Sequence, residues 1–155
     1  MWSWLVDKFY KVIDSGTLFK VQLLYKGAKT PVKADSGAAG YDVFSTANCT
    51  IKPGTRQLVP LGIKIEISNQ FYLRVAPRSG LSVRGIDIGA GVVDSSYRGE
   101  VKVLVINNSN EDFKVESGTK IAQFILERCS NTLIKTEDIL SRTERGFGGF
   151  GSTGQ

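Results

Sequence analysis

The chain has 155 residues, 41% of them hydrophobic, two cysteines and no histidine, and its 20 basic against 15 acidic residues give a net charge of +5. This length suits one domain that buries roughly two thirds of the surface its unfolded form exposes; no apolar run approaches the ~20 residues of a membrane span, and histidine triads, histidine zinc sites and imidazole relays are excluded. The positive charge favours a polyanionic partner, and basic residues scattered singly rather than in blocks favour a small anionic ligand over nucleic acid.

At the N-terminus, Trp2, Leu5, Val6, Phe9, Val12 and Ile13 fall at helical spacing, with Asp7, Lys8, Lys11 and Asp14 opposite and Gly16 placed to stop the helix. Residues 1–16 therefore read as an amphipathic extension that packs on the domain or on a sister subunit, with docking on a membrane surface or partner protein as the lesser alternative. It lacks the basic start and uninterrupted apolar core of a secretory signal.

From Phe19 the period becomes two. Phe19, Val21, Leu23 and Tyr25 alternate with Lys20, Gln22 and Leu24, and Phe71, Leu73 and Val75 alternate with Tyr72, Arg74 and Ala76. Residues 100–106 (EVKVLVI) and 121–127 (IAQFILE) carry apolar residues on both faces, as expected of central strands covered on two sides. Turn signals separate the strands at Pro53-Gly54, at Asn107-Asn108-Ser109-Asn110 and at Ser117-Gly118. Many short strands joined by short turns predict an all-β chain, a β-sandwich of the jelly-roll type, over residues 17–141. A short helical turn is predicted over 136–140, with Thr136 as N-cap and Glu137 and Asp138 in the first turn. Cys49 and Cys129, without metal-ligand spacing, read as reduced packing residues, which suits an intracellular setting. The arm over 142–155 ends in RGFGGFGSTGQ, whose five glycines cannot hold regular structure alone, yet it carries an arginine, two rings and a Ser-Thr pair suited to a phosphate and a flat base.

Four stretches carry chemistry. In PRSGLSV (77–83), the Arg78 fork, the Ser79 hydroxyl and the Gly80 backbone can cradle a phosphate, or can form an ordinary turn. AAGYDVFS (38–45) supplies the carboxylate Asp42. Gln123, on a strand with Ile121 and Ile125, is an amide entering an apolar surface; it either bonds a neighbouring loop or donates to a phosphate. GAGVVDSSYRG (89–99) reads as a hairpin of small residues, Gly89, Ala90, Gly91, Val92 and Val93, against which a flat ligand can lie. Asp94 follows it and Tyr97 stands three residues on. The aspartate either caps a turn or activates water. Neither a GxxxxGK[ST] phosphate loop nor a Rossmann glycine spacing is present.

Taken in order, AGYDVFS, PRSGLS, GAGVVDSSYRGEV, GTKIAQ and RGFGGFGSTG resemble the five motifs of the homotrimeric deoxyuridine triphosphatases (dUTPases), and the resemblance spans residues 38–154. It implies a jelly roll that hydrolyses dUTP to dUMP and pyrophosphate with magnesium, limits dUTP and supplies dUMP for thymidylate synthesis, using sites shared among three subunits. By the same resemblance Asp94 is the base that deprotonates the attacking water. Tyr97 lies against the deoxyribose, residues Gly89 to Val93 read uracil, and Phe150 stacks over it. Arg78, Ser79, Gly80 and Gln123 hold phosphates, Arg145, Gly151, Ser152 and Thr153 close on the outer phosphates, and Asp42 approaches magnesium through water. Phe147 departs from the resemblance, standing where the family commonly has a small residue. The alternatives are a dCTP deaminase of the same fold, a nucleotide-dependent regulator that binds without turnover, and a nucleic-acid binder motivated only by charge.

Overall fold

A computed structural model describes residues 19–149. The predicted N-terminal helix over 1–16 lies outside the described residues, as do Phe150, Gly151, Ser152 and Thr153 of the arm.

Eleven strands and one short helix follow one another among the described residues. They are β1 (Lys20–Leu23), β2 (Tyr41–Phe44), β3 (Cys49–Ile51), β4 (Arg56–Pro60), β5 (Ile63–Glu66), β6 (Phe71–Ala76), α1 (Ser79–Ser82), β7 (Ile86–Gly89), β8 (Val92–Val93), β9 (Lys102–Asn107), β10 (Phe113–Val115) and β11 (Lys120–Arg128). All pairings between these strands are antiparallel. A four-stranded sheet runs β2-β11-β6-β8, a three-stranded sheet runs β4-β9-β7, and two ribbons pair β1 with β5 and β10 with β3. The two strands with apolar residues on both faces, β9 and β11, each sit between two neighbours, as their composition predicts.

One core joins these sheets. Val43, Ile51, Val59, Ile63, Leu73, Val75, Ile86, Val103, Val105, Val115, Ile121 and Phe124 are all buried in a single cluster. Alternation is local and follows the pleat: on β9, Val103 and Val105 point inward while Leu104 and Ile106 on the other face stay half-buried. Asn107 closes that strand fully buried, with every polar atom used. Its Nδ2 donates to the carbonyls of Ile51 and Glu111 at 2.8 Å each, and its Oδ1 accepts from the Ser109 amide at 3.0 Å and hydroxyl at 2.7 Å. The amide thereby ties β3 and the β9-β10 turn to the core, as burial of a polar group requires. The turns at Gly54 and Gly118 form with positive φ, 70° and 86°, which a side chain disfavours.

Four expectations are corrected. Residues 136–140 form no helical turn; a single turn gains one hydrogen bond for three ordered residues, and Ile139 and Leu140 find nothing to pack on, being 88% and 80% exposed. Residues 89–93 are not a hairpin: β7 pairs with β9, β8 pairs with β6, and Ala90, at φ 49°, carries the chain from one sheet to the other. Cys129 is exposed and does no packing, whereas Cys49 lies against the core, where burial raises its thiol above the ordinary range. The strand predicted over 19–25 is confined to β1, because Leu24 already donates its N–H to Gly62 outside the ladder.

Candidate active site

The sheet order places the phosphate-type residues side by side. Asp42 on β2 is the register partner of Gln123 on β11, and Gln123 in turn faces Ala76 at the end of β6. The chain leaves β6 extended through Arg78, at φ −89° and ψ 135°, and enters α1. Arg78 turns back so that its Nε donates to Asp42 Oδ1 at 2.9 Å, and Lys120 Nζ meets Asp42 Oδ2 at 2.8 Å. The carboxylate is only 12% exposed. Burial pushes the Asp42 pKa up, but the hydrogen bonds and charges of Lys120 and Arg78 outweigh it and hold the group below its ordinary value. Two cations against one anion leave this cluster positive, as a phosphate requires.

The remaining groups complete a cradle. Leu81 and Ser82 donate their N–H groups to the Arg78 carbonyl, while the first-turn N–H groups of Ser79 and Gly80 have no acceptor within the helix. No side chain caps this helix start. A Cβ added at Gly80 would meet nothing within 4 Å, so an incoming oxygen finds open space there. Gln123 donates its Nε2 to the Pro77 carbonyl at 2.9 Å, which realises the structural role for that hydrogen and leaves the second amide hydrogen for another acceptor. Gly40 is needed because a Cβ there would collide with the Gln123 amide. Neither Lys120 nor Gly40 is recognisable as part of the site from its type, since only the β2-β11 pairing brings them to Asp42 and Gln123; the sole hint is their place inside GTKIAQ and AAGYDVFS.

Since a depressed folded pKa stabilises the fold above the unfolded carboxyl value near 4 and is lost as pH falls through the folded one, the Asp42 ion pairs should fail in acid. Asp42→Asn is expected to cost about 2 kcal/mol at pH 7. Denaturant midpoints of wild type and variant should converge as the pH falls below the unfolded carboxyl value and through the lowered folded one; midpoints that keep their separation there would remove the ion pairs as the cause.

The pyrimidine-type residues form a second group. Ala90, Val92, Val93, Asp94 and Tyr97 line an open pocket of about 320 Å³ together with Leu58, Glu100, Val101 and Lys102. A turn that bonds the Tyr97 N–H to the Asp94 carbonyl at 3.1 Å fixes the spacing of these two residues. The Tyr97 hydroxyl donates to the Glu100 carbonyl at 2.9 Å, holding the ring across Gly99, where any Cβ would strike it. Asp94 is exposed, and none of the ion pairs among the described residues involves it. Gly91 serves the sheet: its carbonyl accepts from Val75 N at 2.9 Å, and a Cβ there would lie 2.7 Å from the Val75 oxygen. One lone pair of that carbonyl is thereby engaged in the sheet.

One chain does not bring Asp94 to Arg78. Pairing of Val93 with Leu73 puts Asp94 near the level of Tyr72, six residues before Arg78 along an extended segment; at ~3.3 Å per residue the backbones lie about 20 Å apart. Arg145 joins neither group, for its Nε donates to Gly148 O at 2.8 Å within its own exposed turn. Phe147 stands fully exposed beside it. No cluster of three or more acidic, cysteine or histidine side chains able to hold a metal occurs among the described residues. No helix among them is long and apolar enough to cross a membrane.

Comparison with known proteins gives the same answer by two routes. The sequence profile of the dUTPase family matches residues 26–154. The deoxyuridine 5'-triphosphate nucleotidohydrolase of cowpox virus is 47% identical over 127 residues, covering 82% of this chain and 86% of its own. The enzyme of the same name from Yarrowia lipolytica is 48% identical over 139 residues, covering 87% and 88%. Among solved structures, the dUTPase of Staphylococcus bacteriophage 80alpha with dUpNHpp superposes with a TM-score of 0.83 at 23% identity, over 89% of this chain and 99% of that one. A mutant dUTPase of phage phi11 of S. aureus, described with a structural Mg(II) ion, superposes at 0.75 with 19% identity, over 81% and 99%. The structural likenesses establish the jelly-roll-like fold, and the profile with the sequence identities establishes the kinship: the chain belongs to the dUTPase family.

Proposed function

We propose that this chain hydrolyses dUTP to dUMP and pyrophosphate at sites assembled from three copies of itself. The observation that carries the reading is the division of the site. The exposed carboxylate of Asp94 and the guanidinium-bearing Arg78 of the cationic cradle stand on backbone segments about 20 Å apart along the β6 register of one chain, too far for one α-phosphorus to meet both. The Asp94 pocket of one copy facing the Arg78 cradle of another supplies the missing half of each.

In this reading uracil and deoxyribose enter the Asp94 pocket, where the Tyr97 ring leaves no room for a 2′-hydroxyl and the backbone of residues 89–93 reads the base edge. Arg78, Ser79, Gly80 and Gln123 hold the phosphates from the neighbouring copy. Phe150 stacks over the base, and Arg145, Gly151, Ser152 and Thr153 close on the outer phosphates. Asp94 accepts a proton from a water whose oxygen bonds the α-phosphorus, while the bond from that phosphorus to the bridging oxygen breaks and pyrophosphate leaves with the electron pair. Positioning and charge stabilisation suffice for such a step, without a covalent nucleophile or histidine.

The residues fit magnesium only as an ion that arrives on the triphosphate. Both Asp42 oxygens are already engaged by cations, and the cluster is net positive, so a bare ion finds no cage there. A hydrated ion held by phosphate oxygens can still take an Asp42 lone pair through water, in keeping with magnesium's reluctance to dehydrate. Bound so, magnesium would neutralise phosphate charge.

The test offers dUTP, dCTP, dTTP and UTP separately with magnesium and measures pyrophosphate, ammonia and nucleotide products. Pyrophosphate from dUTP is expected, with the other three slower by at least about 10²-fold. Ammonia from dCTP would instead identify a deaminase, and binding of dUTP without turnover a regulator.

A further inference from the structure

An exposed turn carries the two residues on which the chemistry of the pyrimidine-type pocket depends. The Tyr97 N–H bonds the Asp94 carbonyl at 3.1 Å across Ser95 and Ser96, and one turn bond open to water does not by itself keep two side chains in place. The next residue, Arg98, supplies what the turn lacks. Its Nη1 donates to the Ser95 carbonyl at 2.6 Å and to the Tyr97 carbonyl at 2.9 Å, so one charged nitrogen bridges the middle and the end of the turn. Arg98 is exposed, yet it pairs with no carboxylate among the described residues. Glu66 lines the same cleft, but its carboxylate is taken by Lys20. The guanidinium is thus turned back on the backbone that precedes it. On the other side of the ring, Glu100, whose carbonyl accepts from the Tyr97 hydroxyl, is itself tied down. Its Oε1 accepts from Gly62 N at 3.1 Å and from the Tyr25 hydroxyl at 3.3 Å.

We propose that Arg98 is a positioning residue for this turn: by drawing the Ser95 and Tyr97 carbonyls onto one guanidinium it fixes the Asp94 carboxylate and the Tyr97 ring relative to each other. The inference rests on the reading that Asp94 activates water and that the Tyr97 ring excludes a 2′-hydroxyl, and it adds what holds the two in register. Arg98 acts through the backbone and contacts neither the water nor the sugar. An arginine suits the task because it carries several donors and stays charged at any working pH, so the clamp does not open by titration. Without it the ring keeps its hydroxyl bond to Glu100 but loses its anchor at the backbone end. A displacement of ~1 Å at reacting groups can cost on the order of 10²-fold in rate. Rate and sugar selectivity therefore both depend on Arg98. The fold does not, since the hydrogen bonds of this side chain go only to residues 95 and 97.

The test compares Arg98→Met, which keeps an apolar stem and loses the donors, with Arg98→Lys, whose ammonium can still donate to both carbonyls. Turnover of dUTP and of UTP, hydrogen exchange at the Tyr97 amide and thermal unfolding are measured on each. Arg98→Met is expected to lower kcat for dUTP by roughly 10-fold to 10²-fold and to narrow the preference for dUTP over UTP by about tenfold. Its Tyr97 amide should exchange at least about tenfold faster, the size of one lost charge-assisted contact, with cooperative unfolding retained. Arg98→Lys should stay within about threefold of wild type on all three readouts, because charge and donors survive. Wild-type rate and selectivity in Arg98→Met, an unchanged Tyr97 exchange rate, or Arg98→Lys as impaired as Arg98→Met would each overturn the proposal. So would loss of cooperative unfolding in Arg98→Met, which would make the residue a determinant of the fold. If wild type failed to hydrolyse dUTP while the Tyr97 amide still loosened in Arg98→Met, the clamp would stand and the reading of the site would fall, so the two failures are distinguishable.

Discussion

Replacing Asp94 with asparagine is expected to lower kcat for dUTP on the order of 10³-fold, within the range general-base catalysis supplies, while binding of a non-hydrolysable dUTP analogue stays near the wild-type level. The amide has the size of the carboxylate and its oxygen can still hold a water, but it cannot take up that water's proton. The fold should not register the change, because the side chain is exposed and enters no ion pair among the described residues. Single-turnover rates with dUTP, analogue titrations and thermal unfolding of the same preparations separate the three effects. A variant that kept a third or more of the wild-type rate would strip Asp94 of the proposed role.

Removing residues 145–155 is expected to lower kcat/KM for dUTP by roughly 10²-fold to 10³-fold, the scale of losing charge-stabilising donors at the reacting phosphates. Stability should be unchanged. In the structure Arg145 bonds its own turn and Phe147 is fully exposed, so the described part of the arm, residues 145–149, gives the core nothing to lose. The removed segment carries Arg145, Phe150 and the Ser152-Thr153 pair. Mixing sharpens the test. After subunit exchange, truncated chains with an intact Asp94 and full-length Asp94→Asn chains should form some sites holding both an intact base and an intact arm. Activity well above the sum of the two separate preparations is the expected result; a simple sum would mean that each arm serves its own chain's pocket.

These expectations depend on residues legible in very different degrees from the order of amino acids. Strand β6 spans the predicted residues 71–76, and β9 and β11 lie within two residues of the predicted limits, because alternation is a local property of each pleated segment. Gly54 and Gly118 are equally legible, for a positive φ is a demand on one residue. The motif residues Asp42, Arg78, Asp94, Tyr97 and Gln123 were readable as chemistry-bearing types in order along the chain, and the family profile covers the same stretch.

What local pattern could not supply is who meets whom. The 136–140 turn had its cap and first-turn acids but no surface to pack on, and a lone turn does not pay for its own nucleation. Residues 89–93 looked like a hairpin because small residues and glycines permit one, yet the partners of β7 and β8 were fixed by β9 and β6, far away in sequence. Lys120 has no mark of its own in the sequence; it reaches Asp42 because β11 lies against β2. By itself, then, the sequence determined the all-β class, the main strands and turns, and the set of reactive side chains, since each follows from backbone dihedral preferences and side-chain chemistry within a few residues. Only the tertiary structure decided that Asp42, Arg78, Lys120 and Gln123 form one cationic cradle, that Asp94 and Tyr97 stand apart from it, and that the β4-β9-β7 sheet keeps an apolar face. Those outcomes depend on strand register and burial, which are settled by contacts between segments that no short stretch of chain contains.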